Sequence, residues 1–182
     1  MAGSTQSRGH RDAHQNRDDL TGEHRLGDAG QAAFAMLFAG IYIADSFFLE
    51  WTTHLNSVVP NWLRMVVGIP LLVLAGYLAR ASLKTVFDEV REPPVVIRTG
   101  LYARMRHPMY FSEILLYAGL LALSLSLAAA AIWVAAIVFL TFLCRHEERL
   151  LIERFGADYR TYMREVPMWV PRPWKRAGRL QG

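Results

Sequence analysis

The chain has 182 residues, 53% of them apolar and 20% charged, with a formal charge of +4 and a mean hydropathy of +0.17. These averages lie near those of a soluble domain, and the length suits one domain with a tail. Their distribution excludes a soluble globule: residues 114–143 contain no Asp, Glu, Lys, Arg or Pro, a run well beyond the roughly 18 residues that mark a membrane span. A disulfide scaffold is excluded too, because Cys144 is the only cysteine.

Residues 1–28 are predicted to be a disordered tail. Asp12, Asp18, Asp19, Glu23 and Asp28 nearly balance Arg8, Arg11, Arg17 and Arg25, and too few apolar groups are present to offset the entropy of ordering the backbone. No apolar run follows a basic start within it, unlike a secretory signal. His10, His14 and His24 read there as ordinary surface histidines rather than a metal site. A domain is expected over 29–176, followed by a short tail, 177–182.

The first apolar segment runs from Gln31 to Leu49, with Asp45 and Glu50 near its end. Asp45 is expected at the interface, since a carboxylate within a span is costly. The second runs from Trp62 to Ala79. Arg64 is expected to extend toward the headgroups and Pro70 to kink the helix. Residues 80–107 are polar, with six basic side chains against Asp88, Glu89 and Glu92.

The apolar block from Met109 to Leu143 reads as one helix or two. As one, its uncharged core of 114–143 would extend about 45 Å, against a hydrocarbon core of about 30 Å. As two joined near 124–128, each helix is short but adequate in a locally thinned bilayer. No Gly or Pro marks that turn, so charge decides. Nine Lys or Arg follow residue 144, and the 80–107 segment is basic. Two intervening spans place both on one side, as the positive-inside rule requires. The 50–61 connection has no Lys or Arg.

Beyond Cys144, Leu151, Phe155, Tyr159 and Tyr162 share one face of a charged helix suited to the membrane surface. Trp169 and Trp174 suit interface anchors. The predicted fold is an all-α integral-membrane bundle of about four transmembrane helices with a C-terminal interfacial helix and both termini cytoplasmic.

Two polar clusters flank the proposed hairpin: Arg98 to Tyr110, and Arg145 to Arg149. Each has a plain reading by itself. His107 and Pro108 can open a helix, the arginines can contact headgroups, and Glu147-Glu148 can form a solvated face paired to Arg145 or Arg149. The hairpin makes the clusters neighbours.

Together, Gly100-x-Tyr102, Arg106-His107-Pro108-x-Tyr110, Glu147-Glu148, Phe155-Gly156 and Tyr159 resemble the integral-membrane methyltransferases, the group of isoprenylcysteine carboxyl methyltransferases and phospholipid methyltransferases. The resemblance spans about residues 60–171. It implies S-adenosylmethionine (SAM) as methyl donor, bound at the cytoplasmic end of the bundle. Carried over by motif, the donor site comprises Gly100, Tyr102, His107, Pro108, Met109, Tyr110 and Glu147, and Val95-Val96-Ile97 adds backbone contacts.

The residue types suit that chemistry. A glutamate can accept from a ribose diol or pair with an ammonium, and aromatic rings can stack on adenine or face a sulfonium. No Gly-x-Gly-x-x-Gly follows a strand, and no His, Cys or acidic cluster has metal-ligand spacing. A carboxylate acceptor needs no base, whereas an amine or thiol must lose a proton, for which His107, His146 and Glu148 are candidates. Arg145 is the candidate for positioning an anionic acceptor, although a snorkelling cation explains it equally well.

The expected partners are membrane lipids and a lipophilic or lipidated methyl acceptor, with no metal and no nucleic acid. The leading expectation is isoprenylcysteine carboxyl methyltransferase-like O-methylation. The alternatives are phospholipid or amine N-methylation, thiol S-methylation, and a non-enzymatic scaffold that binds anionic lipids.

Overall fold

The computed structural model describes residues 25–87 and 94–170. Helix α1 spans Arg25–Ala44 and continues into a π-helical turn, Asp45–Leu49. Helices α2 (Asn61–Phe87), α3 (Pro108–Ser124), α4 (Leu127–Phe155) and α5 (Ala157–Glu165) follow, with 3-10 turns at His54–Ser57 and Gly100–Ala103. The predicted tail meets the described residues only at 25–28, which already belong to α1; the 177–182 tail and Trp174 lie outside them. Among the described residues there is no strand.

Three helices are long and apolar enough to cross a membrane: Ala29–Leu49, Asn61–Val86 and Leu127–Phe155. Helix α3 is apolar but has 17 residues, about 25 Å at 1.5 Å per residue. Met36, Phe48, Val73, Val138 and Phe142 are each more than 60% exposed. Helices surrounded by hydrocarbon turn large apolar side chains outward in this way, and in water such a surface would be an association patch.

Helix α2 lies along α3, with Leu72 against Gly119 and Leu123 against Gly68. Helix α1 lies along α4, where Phe34 stacks on Phe139 at 4.9 Å. Between these pairs sits a small core of Phe38, Tyr117, Ala129 and Ala136, with the Phe38 and Tyr117 rings stacked at 4.3 Å. The long apolar block is thus two antiparallel helices. Trp133 of α4 donates its indole N–H to the Ile114 carbonyl of α3 at 3.0 Å, and Tyr110 of α3 reaches Glu147 of α4.

The turn between them is built without Gly or Pro. Leu125 takes a left-handed conformation at φ 49°, and Ser126 caps α4 by accepting from the Ala129 N–H at 3.1 Å. The support comes from the other loop. Buried Asp45 accepts from the Ser126 hydroxyl at 2.5 Å, from the Thr52 N–H at 3.0 Å and from the Thr52 hydroxyl. Thr52 in turn takes the Ala128 N–H at 2.9 Å. Two N–H groups of the first turn of α4, which a helix cannot satisfy by itself, are so provided for. Asp45 therefore has a buried structural role at the loop end of the bundle. Arg64, in the first turn of α2, donates to Asn56 Oδ1 at 2.5 Å and to the Leu123 carbonyl at 2.8 Å, near the end of α3.

At its other end α4 runs past its uncharged stretch to Phe155. Gly156, at φ +57°, then turns the chain into α5. Tyr159, Tyr162 and Val166 are buried against Val96, Leu151, Ile152 and Phe155. The apolar face visible in the sequence thus closes onto the protein itself.

Candidate active site

Pro108 opens α3, where the missing N–H of the first helical turn costs nothing. The His107 side chain makes no cap hydrogen bond, so its ring is directed elsewhere. His107 is buried; its Nε2 lies 3.2 Å from Glu148 Oε1 and its Nδ1 3.6 Å from Glu147 Oε2. Arg106 donates through Nε to the same Glu148 oxygen at 2.7 Å. Its Nη1 donates to the carbonyls of Met163 at 2.8 Å and Val166 at 2.6 Å. The backbone N–H groups of Arg106 and His107 reach the carbonyls of Pro167 and Met168 at 2.9 and 3.1 Å. Three segments are locked together: the start of α3, the end of α4 and the chain leaving α5.

Successive residues on a helix point about 100° apart, and the two glutamates divide the work accordingly. Glu148 faces the Arg106–His107 frame and is buried. Glu147 faces a cavity and accepts from the Tyr110 hydroxyl. The Tyr162 hydroxyl donates to the Tyr102 carbonyl at 2.6 Å, fixing the 3-10 turn that carries Tyr102. Burial pushes the hydroxyls of Tyr102, Tyr159 and Tyr162 above their ordinary range. The charge of Glu147 adds to this at Tyr102, and that of Glu148 at Tyr159. All three remain neutral at physiological pH.

The cavity has a volume of about 540 Å³, within the range of small-molecule sites. Its polar end is lined by Tyr102, Arg106, His107, Tyr110, Glu147, Tyr159, Tyr162 and the non-helical stretch 95–97. Its apolar arm is lined by Ala75, Gly76, Ala79, Leu83 and Leu116. Gln31 and Glu113 also contribute to the wall and bond to each other at 2.9 Å.

Of the residues singled out in the sequence, Tyr102, His107, Met109, Tyr110 and Glu147 line this cavity. Gly100 and Pro108 do not; they shape the backbone. Gly100 sits at φ +59°, and a Cβ there would lie 3.0 Å from Thr85 Oγ1. Pro108 is almost fully buried. Arg145 is exposed and off the lining, and Glu148 is engaged with Arg106 and His107. Sequence reasoning missed Glu113 and Gln31, and it placed Arg106 in the family motif without giving it a part in the site. The signal for Glu113 was present: Tyr110, Glu113 and Tyr117 follow i, i+3, i+7 spacing on one helix face, and an ionisable residue in an apolar helix is a functional suspect.

The family model for phospholipid methyltransferases matches residues 63–158. The chain belongs to this family. It is thereby a membrane methyltransferase of the integral-membrane group that also contains the isoprenylcysteine carboxyl methyltransferases. No curated protein matches the chain. The family match runs from the first turn of α2 into the start of α5, across both glutamates and the His-Pro element, and leaves α1 outside it.

Proposed function

We propose that the protein transfers a methyl group from SAM to a lipophilic acceptor in this cavity, at the cytoplasmic face of the membrane. The observation that carries the reading is the joining of two segments 37 residues apart, through Tyr110 and Glu147, on the wall of a cavity with one polar end and one apolar arm. The polar end fits the donor's chemistry. Glu147 offers a carboxylate for a diol or an ammonium. Tyr102 and Tyr110 offer rings for a purine or a sulfonium, and the non-helical stretch 95–97 offers backbone groups. When bound, SAM supplies a methyl group already activated on sulfur, so no covalent enzyme intermediate is required.

The chain's own contribution is alignment and exclusion of water. Glu148 is a positioning residue. It holds Arg106 and His107, and through Arg106 it holds the segment that closes the polar end. His107 faces both glutamates and is the group best placed to relay a proton between them and the cavity. The apolar arm fits an acceptor arriving from the lipid.

A carboxylate acceptor, as in the isoprenylcysteine branch, would need a cation at the wall. Arg106 stands there, but its charge is balanced by Glu148 and its Nε and Nη1 are bonded to Glu148 and two carbonyls, and Arg145 lies off the lining. This favours a neutral or cationic acceptor, as in the phospholipid branch.

Purified protein in nanodiscs is expected to bind S-adenosylhomocysteine, and Glu147→Ala to weaken that binding at least tenfold. Absence of binding in the wild type would defeat the reading. Membranes incubated with methyl-labelled SAM are expected to yield base-stable rather than base-labile product. Reporters fused after residues 107 and 176 are expected on the cytoplasmic side.

A further inference from the structure

Glu113 is an acid that donor binding leaves unexplained. It lies five residues into α3 from Pro108, about 7.5 Å further along the helix axis, away from the Glu147 end. Its Oε1 accepts from the Tyr117 hydroxyl at 2.6 Å and its Oε2 from the Gln31 amide at 2.9 Å. A carboxylate offers about four lone-pair sites, so these two bonds leave it unsaturated on the cavity wall. Among the described residues, no Lys, Arg or His forms an ion pair with it. Two neutral donors orient the carboxylate but do not balance its charge, and an unbalanced acid in a membrane helix is expensive.

The space beside it suits an aliphatic chain. Ala75 and Ala79 of α2 are small, and a Cβ placed on Gly76 would meet nothing within 4 Å. A strut between α1 and α3 would explain the Gln31–Glu113 bond alone. It would not require an acid on the wall of a cavity whose one lining guanidinium, that of Arg106, is already paired with Glu148.

We propose that Glu113 binds the cationic head of the methyl acceptor, with its chain along the Ala75–Gly76–Ala79 arm and with Gln31 and Tyr117 as positioning residues. This rests on the methyl-transfer reading above and adds the residue that selects the acceptor by charge. Because Gln31 lies outside the family match, α1 contributes to the selection.

The test uses the full chain in a neutral maltoside detergent with three calorimetric probes: S-adenosylhomocysteine, decyltrimethylammonium and decanoate. The wild type is expected to bind decyltrimethylammonium at least tenfold more tightly than decanoate. Glu113→Gln should abolish that preference and leave S-adenosylhomocysteine affinity within twofold, and Glu113→Asp should retain the preference. Should Glu113→Gln fold poorly, Gln31→Leu carries the test, with an expected severalfold loss of preference.

A wild type without charge preference, or variants that keep it unchanged, overturns the proposal. So does a Glu113→Gln variant that weakens all three probes alike, since that places Glu113 in the scaffold. Failure of the wild type to bind S-adenosylhomocysteine defeats the methyl-transfer reading instead, while the ammonium preference is still read independently.

Discussion

The two ends of the α3–α4 hairpin are built from similar parts and do opposite things. At the turn, Asp45, Thr52 and Ser126 form a closed set: the donors around the carboxylate come from the loop and the helix start it joins. At the other end, Glu148 is closed in the same manner by Arg106 and His107, but its neighbour Glu147 faces a cavity. A buried acid whose partners are all internal acts as a fastener. One residue earlier on the helix, the same side chain becomes a receptor.

The comparison is tested most severely at Arg106. Arg106→Leu leaves Glu148 buried without its cation, and breaking such a pair costs about 3–5 kcal/mol. A large fall in melting temperature with loss of S-adenosylhomocysteine binding is expected, and a variant as stable as the wild type would break the fastener picture. Next comes Tyr110→Phe, which removes one hydrogen bond to the receptor glutamate. An affinity loss of about tenfold in calorimetry is expected, equivalent to about 1.4 kcal/mol, with little change in melting.

Asp45→Ala should show the reverse pattern: a stability loss of about 2 kcal/mol with donor affinity within twofold. Ser126→Ala should cost about 1 kcal/mol, as loss of an N-cap does. The smallest effect is alkaline. Because burial raises Tyr102, Tyr159 and Tyr162, these hydroxyls stay protonated in the folded chain where the unfolded chain ionises near pH 10. Stability is then fully present below about pH 10 and falls above it, and Tyr159→Phe should flatten that fall in a melting series.

The helices and the hairpin were legible because they rest on where charge is absent and where it returns. The turn itself was not. Leu125 and Ser126 look unremarkable locally, and what supports them is an aspartate 81 residues upstream of Ser126. That the Arg106–Tyr110 element meets the glutamates was legible from the hairpin; that Glu147 is the one lining the cavity was legible only as a family resemblance, since no local rule says which of two adjacent acids turns inward. Glu113 escaped notice because it borders the uncharged window and satisfies no motif. Its partner on α1 lies 82 residues away.

The Arg106 contacts also set an order of assembly. The guanidinium and the backbone of 106–107 are held by carbonyls of residues 163, 166, 167 and 168, up to some 60 residues later in the chain. During synthesis, both glutamates and the His-Pro element are therefore made before the segment that locks them. A nascent or truncated chain ending at α4 would have its membrane helices and both halves of the receptor, yet would lack the carbonyls that complete the Arg106 frame.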